Sequence, residues 1–234
     1  MAIPIEWIPR NPTLGNFAHV LASDGIYRAL LNSVLVTAGS VVVVLVSSSM
    51  AAFAFAKIKF KGRDALFIVY LATLMIPFQV LFIPMFLVMI DLNLLDNLWA
   101  LILPGVFRMF AIFMLRQRML AIPDAYLEAA AIDGAGLFRQ FAQIVIPMCK
   151  TELIVLLIMQ SMDSWNDFLL PLVMLTSREN FTLPIILNAM AGQYQTEFHL
   201  LMAGALISII PILMVYAFAQ KFFTAGLQLG GVKG

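Results

Sequence analysis

Residues 32–56 read NSVLVTAGSVVVVLVSSSMAAFAFA, and the seven that follow read KIKFKGR. The run carries no charge and exceeds the about 20 residues that an α-helix needs to cross the hydrocarbon of a bilayer. It lacks the period-2 alternation of a membrane β-strand. It reads as a spanning helix, and the cations that close it, Lys57, Lys59, Lys61 and Arg63, mark the side on which it stops.

Four more apolar runs follow, at about 65–90, 98–115, 153–175 and 200–223. Composition agrees with them. Of 234 residues, 62% are hydrophobic and 12% charged, with a mean hydropathy of +0.97, more apolar surface than a water-soluble core can hide. The expected fold is all-α, a polytopic transmembrane helix bundle with five spans in this chain.

Orientation follows from where lysine and arginine sit, because cytoplasmic loops retain them. Arg116, Arg118, Arg139 and Lys150 share the long loop 116–150, and Lys221 and Lys233 follow the last run. Segments 90–97 and 176–199 hold mainly Asp91, Asp96, Glu179 and Glu197 with a single Arg178. The long loop is therefore expected in the cytoplasm and those two segments outside. This alternation puts Met1 outside although 1–28 has no continuous apolar signal region, so a sixth, N-terminal span upstream of this sequence is expected. The expected domains are an external segment 1–28, a transmembrane domain 29–223 that includes the loop 116–150, and a cytoplasmic tail 224–234.

Prolines interrupt the runs: Pro77 and Pro84 the second, Pro104 beside Gly105 the third, Pro171 the fourth and Pro211 the fifth. Backbone groups freed inside hydrocarbon must be satisfied by neighbouring helices or a wet cavity, so the set fits kinked helices around a path. Ser47, Ser48, Ser49, Ala51 and Ala52 offer small-residue contacts for close helix packing.

Polar groups in the spans are costly, at about 2.5–3.5 kcal/mol per charge on insertion scales. Arg108 in the third run and Asp163, Asn166 and Asp167 in the fourth are candidates for a translocation path. Asp163 and Asp167 lie one helical turn apart and are expected on one face. Two alternatives stay open: the carboxylates mark the outer water boundary, or Arg108 pairs with an acid of another subunit.

Several chemistries are excluded. A lone Cys149 gives no disulfide framework or cysteine cluster, and His19 and His199 form no local metal pair. No G-x-x-x-x-G-K-[ST] phosphate loop, zinc motif or nucleophile elbow occurs. Gly134 and Gly136 approach a dinucleotide fingerprint, but Arg139 takes the third glycine position. Near-neutral net charge, +1, leaves no nucleic-acid footprint.

Within the long loop, residues 122–136 read IPDAYLEAAAIDGAG. Pro123 suits a first helical turn, Asp124 and Glu128 put negative charge near the helix start, and Ala129 to Ala131 form helix with almost no side chain. Gly134 permits a sharp turn after it. A thin alanine-faced helix is what a partner groove can approach closely.

With Glu128-Ala129-Ala130, Gly134, Ile144 and Pro147 in this register, the loop resembles the hallmark of the inner-membrane subunits of binding-protein-dependent ABC importers: E-A-A, three residues, G, nine residues, I-x-L-P. Ile146 stands where the family usually has Leu. Nearly the whole chain is similar to the carbohydrate-uptake group, related to the second membrane subunit of maltose-type transporters, through 12–17, 164–168, 201–204 and 230–234.

The resemblance implies the ABC importer type I permease fold. It makes Glu128, Ala129, Ala130, Asp133 and Gly134 a coupling helix seated in a partner ATPase, with Gly231 and Lys233 of the tail as a second contact. The chain itself then holds no cofactor, ATP and Mg being bound by the ATPase dimer. A second homologous permease subunit, an extracytoplasmic solute-binding protein and the lipid bilayer complete the expected partners, in a bacterial or archaeal inner membrane. Import of a non-sugar solute, or secondary transport, stands as the alternative.

Overall fold

The computed structural model describes residues 13–23, 25–191 and 197–229. All regular elements among them are helices. A short α1 (Gly15–Ala22) leads into α2 (Ile26–Lys57), whose 32 residues are about 48 Å long at 1.5 Å per residue. α2 is the axis of the fold, and the other elements arrange themselves along it.

The second apolar run is not one helix. α3 (Arg63–Ala72) ends in a 3₁₀ turn, Thr73–Met75, and after a 98° bend the chain resumes as Phe78–Leu81 and α4 (Phe82–Asp91). Pro77 explains the break. Its ring clashes with the carbonyl four residues back, and Ile76 before it is forced to extended backbone, φ −85° and ψ 117°. Pro84 does not interrupt anything, because it falls in the first turn of α4, where its missing N–H is harmless.

The third run begins as α5 (Trp99–Ile102), tightens to 3₁₀ over Leu103–Phe107 and bends by 41° into α6 (Met109–Leu120). The bend falls at Arg108, which leaves helical geometry at ψ 87°.

The loop beyond holds α7 (Ala125–Ile132) and α8 (Leu137–Gln140), then a π-helical turn Phe141–Val145 and α9 (Ile146–Met148). Pro147 has no N–H for the carbonyl of Gln143, and the turn ahead of it widens accordingly. After a 78° bend, α10 (Lys150–Asn166) begins.

The fourth span was expected to reach 175, but α10 stops at Asn166 and α11 (Leu169–Met174) is a separate short helix. Pro171 again supplies the reason, since its i−4 carbonyl is that of Asp167. α12 (Leu183–Met190) and α13 (Phe198–Leu229), which carries Pro211 within it, complete the order. Among the described residues, α2 and Phe198–Phe218 are long and apolar enough to cross a membrane alone, and the three bent pairs raise the number to five if each is one span.

Packing follows small residues. α2 lies against α6 and α10 through buried Val44, Ser48, Ser49, Ala52 and Phe53, which meet Leu115, Met119, Val145 and Leu156. Gly39 lets α5 approach, for a Cβ there would sit 2.8 Å from Ile102 Cδ1. A second cluster joins Val36, Ala100, Ile102 and Met174, and a third joins Val20, Ile26, Ala29 and Ala203.

The two ends of α2 differ in charge. At its last turn gather Lys57, the start of α3 and the end of α6, where Arg116 Nη2 bonds Asp64 and its Nε donates to the Phe55 carbonyl. At its first turns, Arg28 pairs with Glu179 at 3.1 Å, Asn32 donates to the Glu179 and Phe181 carbonyls, and the Leu183 amide donates to Ser33 Oγ. The segments 90–97 and 176–183 thus meet at one end of the bundle. Asp96, at φ 57°, binds them: its carboxylate accepts the Thr176 and Ser177 amides at 3.0 and 2.9 Å, and its own amide donates to the Met174 carbonyl.

Candidate functional site: an exposed capped helix and an intramembrane ion pair

α7 is eight residues long and has no buried side chain. Glu128, Ala129, Asp133 and Gly134 are exposed and Ala130 is half-buried, with Ile132 87% exposed at the helix tip. Its end is a Schellman cap. The Ala135 amide donates to the Ala130 carbonyl at 2.8 Å and the Gly134 amide to the Ala131 carbonyl at 3.0 Å, with Gly134 at φ 80°. The sharp turn expected at Gly134 is present, and nothing lies within 4 Å of where its Cβ would be.

Two side chains that the sequence gave no reason to single out hold this helix in place. Lys57, at the end of α2, donates Nζ to the Ile122 carbonyl at 2.6 Å and to the Asp124 carboxylate. The Lys57 side chain is 5% exposed, so the clamp is buried on one side and open on the other. The bond from Lys57 holds the Asp124 carboxyl below its ordinary value. On the far side of the turn, buried Gln140 donates Nε2 to the Ala135 carbonyl at 2.8 Å. Arg118 caps the end of the loop by donating to the Met148 carbonyl and pairing with Glu152 at 3.3 Å. Lys57 has no local partner, and Gln140 reaches back five residues across the turn, a spacing that matches no regular helix contact. The result is a rigid platform that presents an apolar tip, with Leu137 and Phe138 also exposed beside it.

The second constellation is an exposed ion pair between two helices. Arg108 Nη2 donates to Asp163 Oδ2 at 3.0 Å, joining the bend of the third span to α10. Arg108 therefore has an acidic partner within its own chain. A small cavity beside the pair is lined by Phe110, Met159 and Gln160, among others.

Asp163 and Asp167 lie within electrostatic reach of each other at the end of α10. Asp167 has left the helix at ψ 122° and its carboxylate accepts the Leu170 amide at 3.3 Å, starting α11. Asn166 folds back to donate to the Met162 carbonyl. Trp165 is buried and donates Nε1 to the Ser208 carbonyl at 3.0 Å, which ties α10 to α13. Of the four path candidates, Arg108 and Asp163 are directly paired and Asp167 lies within electrostatic reach of both. Gly231 and Lys233 lie outside the described residues. No cluster of three or more metal-ligating side chains occurs among the described residues.

A family model described as the inner membrane component of binding-protein-dependent transport systems matches residues 44–228, which include the capped helix and the ion pair. The chain belongs to that family. As a member, it is a membrane permease subunit of an ABC importer and not an enzyme. The permease is 40% identical over 233 residues to the arabinooligosaccharides transport system permease protein AraQ of Halalkalibacterium halodurans, covering 99% of this chain and 84% of that one. It is 31% identical to the lactose transport system permease protein LacG of Rhizobium radiobacter, covering 93% and 80%. Among solved structures, a bacterial ABC transporter that imports the acidic polysaccharide alginate contains a chain with the same fold, at a TM-score of 0.81 and 26% identity over 92% of this permease and 81% of that chain.

Proposed function

We propose that this permease carries a sugar or oligosaccharide across the inner membrane and that residues 128–134 are the point at which a separate ATPase drives it. Relatives named for arabinooligosaccharide and lactose transport, and the alginate importer, support the solute class. The observation that carries the docking assignment is α7 itself: an exposed apolar tip held at both ends, by Lys57 and by the Gly134 cap with Gln140. A rigid helix transmits a push, whereas a loose loop absorbs it.

In this reading the cation-rich end of α2 faces the cytoplasm and the five spans, three of them bent, cross the membrane. A second, homologous permease subunit supplies the other half of the path. An ATPase dimer binds ATP and Mg, and a solute-binding protein delivers cargo to the end where Asp96 joins the two outer segments. Closing of the ATPase dimer moves α7 as a body, and the bundle turns to accept solute. The Arg108–Asp163 pair faces the path, because an exposed ion pair at bilayer depth belongs against water or protein rather than lipid.

Cysteines placed at Ala129 and Ile132 test the docking. With a short bifunctional crosslinker in intact membranes they should capture an ATP-binding subunit, and cysteine at Leu35, on an exposed part of α2, should not. Capture of lipid or quencher alone at 129 and 132 contradicts the assignment.

A further inference from the structure

The cations that end α2 do more than mark orientation. These four, Lys57, Lys59, Lys61 and Arg63, are joined at one end of the bundle by Arg116 of α6 and by two carboxylates, Asp64 and Asp124. Lys57 is spent on Asp124 and Ile122, while Arg63 and Arg116 share Asp64 Oδ1 at 3.1 and 3.3 Å. Arg116 is further fixed over the Phe67 ring, 4.0 Å from its centroid. Lys59 and Lys61 are exposed, and Lys59 acts on the Asp124 carboxylate through space, beside the direct bond from Lys57. The cluster therefore carries surplus positive charge, held on a framework whose acids are already satisfied.

A shallow cavity of about 390 Å³ opens in this cluster, lined by Lys59, Phe60, Gly62, Arg63, Asp64 and Ala65. From Ala65 an apolar stripe leads away along α3. Ala65, Ile68, Val69 and Ala72 follow at the helical spacing i, i+3, i+4, i+7 and all are exposed. Phe60, itself exposed, sits at the junction, where aromatic rings favour the headgroup level of a bilayer. The cavity thus offers cations at one end and leads to a hydrocarbon-compatible track at the other. Soluble anions such as nucleotides or inorganic phosphate use the first and have nothing to place on the second.

We propose that this cavity binds the phosphate headgroup of an anionic phospholipid, with Lys59 and Arg63 of its lining on the phosphate, the exposed Lys61 adding charge beside them in the chain, and an acyl chain along Ala65, Ile68, Val69 and Ala72. A lipid seated there braces the junction of α2 and α3, one residue pair away from the Lys57 clamp that positions α7.

The test uses the complete transporter, purified in mild detergent and exchanged into nanodiscs of phosphatidylcholine with or without phosphatidylglycerol. Retained lipid is read by native mass spectrometry after stepwise delipidation. The wild type should retain phosphatidylglycerol over phosphatidylcholine by on the order of tenfold, the scale that two interfacial lysines supply toward anionic lipid. Lys59→Gln with Lys61→Gln should remove that preference, and Lys59→Arg with Lys61→Arg should keep it. Equal retention of both lipids by the wild type, or an unchanged preference in the glutamine variant, overturns the proposal. So does displacement of the lipid by millimolar inorganic phosphate, which assigns the cavity to a free anion. Loss of the ATPase subunit from the glutamine variant with lipid preference intact assigns the surface to that subunit instead.

Discussion

Lys57 and Asp124 lie 67 positions apart in the chain, and their ion pair fastens the end of α2 to the N-cap of the exposed α7. The ammonium also satisfies the carbonyl of buried Ile122, so it replaces a backbone partner as well as a charge. Removing it leaves an acceptor without a donor at the root of α7. Lys57→Met is expected to leave membrane insertion intact and to lower ATPase stimulation by the solute-loaded binding protein, with Lys57→Arg recovering part of it. Stimulation at the wild-type level in Lys57→Met argues that the clamp is dispensable.

The same pair has a defined pH dependence. Asp124 is held below its ordinary carboxyl value by the bond from Lys57. A depressed carboxyl contributes stability above its unfolded value of about 3.9 and loses it as pH falls through the lower folded value. Coupling should therefore be flat in this respect from pH 5 to 8. Proteolysis at the loop 121–136, followed on the detergent-solubilised complex, should accelerate only below about pH 4 in the wild type, whereas Asp124→Asn should show no such acid step.

Gly134 isolates a backbone effect. At φ 80° an L-residue is strained by about 1–2 kcal/mol, and because a Cβ would touch nothing, no packing cost is added. Gly134→Asn should be the mildest change, Gly134→Ala should weaken assembly with the ATPase, and Gly134→Pro should abolish it, since proline requires φ near −65°. Co-purification of the ATPase with each variant measures the order. Equal recovery in all three removes the cap from the mechanism.

These residues also show where reading the chain succeeded. The capped helix was legible because its signals are local: Pro123 before it, alanines within it and Gly134 after it act over one or two turns. The spans were legible as apolar runs and the breaks ahead of Pro77 and Pro171 with them, but Pro84 and Pro211, which were expected to interrupt a run, lie within continuous helices. Pro171 ends a helix at Asp167, whose carbonyl lies four residues upstream, and Pro84 in a first turn ends nothing. Lys57 was illegible as an anchor, since it meets a backbone carbonyl that only tertiary folding brings near, and Gln140 because its five-residue reach back across the turn follows no regular spacing.

Gly39 predicts a coupling between positions distant in sequence. A methyl there would lie 2.8 Å from Ile102 Cδ1, but that atom is the end of a side chain and can swing, so Gly39→Ala should cost about 1 kcal/mol, the low end of overpacking. Ile102→Val removes the clashing atom. The double variant should be more stable than the sum of the singles implies, a positive interaction in thermal unfolding of the detergent-solubilised protein. Strict additivity means that α2 and α5 are not in contact as described.

Arg108 and Asp163 separate a structural role from a transport role. Asp163→Asn leaves the guanidinium with a weaker partner and should reduce uptake while the subunit still assembles. Exchanging the charges, Arg108→Asp with Asp163→Arg, restores a pair between the bent third span and α10 but reverses what that pair offers to a passing solute. If the pair served packing alone, the exchange would recover thermal stability and uptake together. The expected result is recovery of assembly and stability without uptake, because a hydroxylated solute meets donors and acceptors in fixed positions and a reversed pair presents them in the wrong order. Uptake by the exchanged variant, measured with labelled oligosaccharide in reconstituted vesicles, decides between the two.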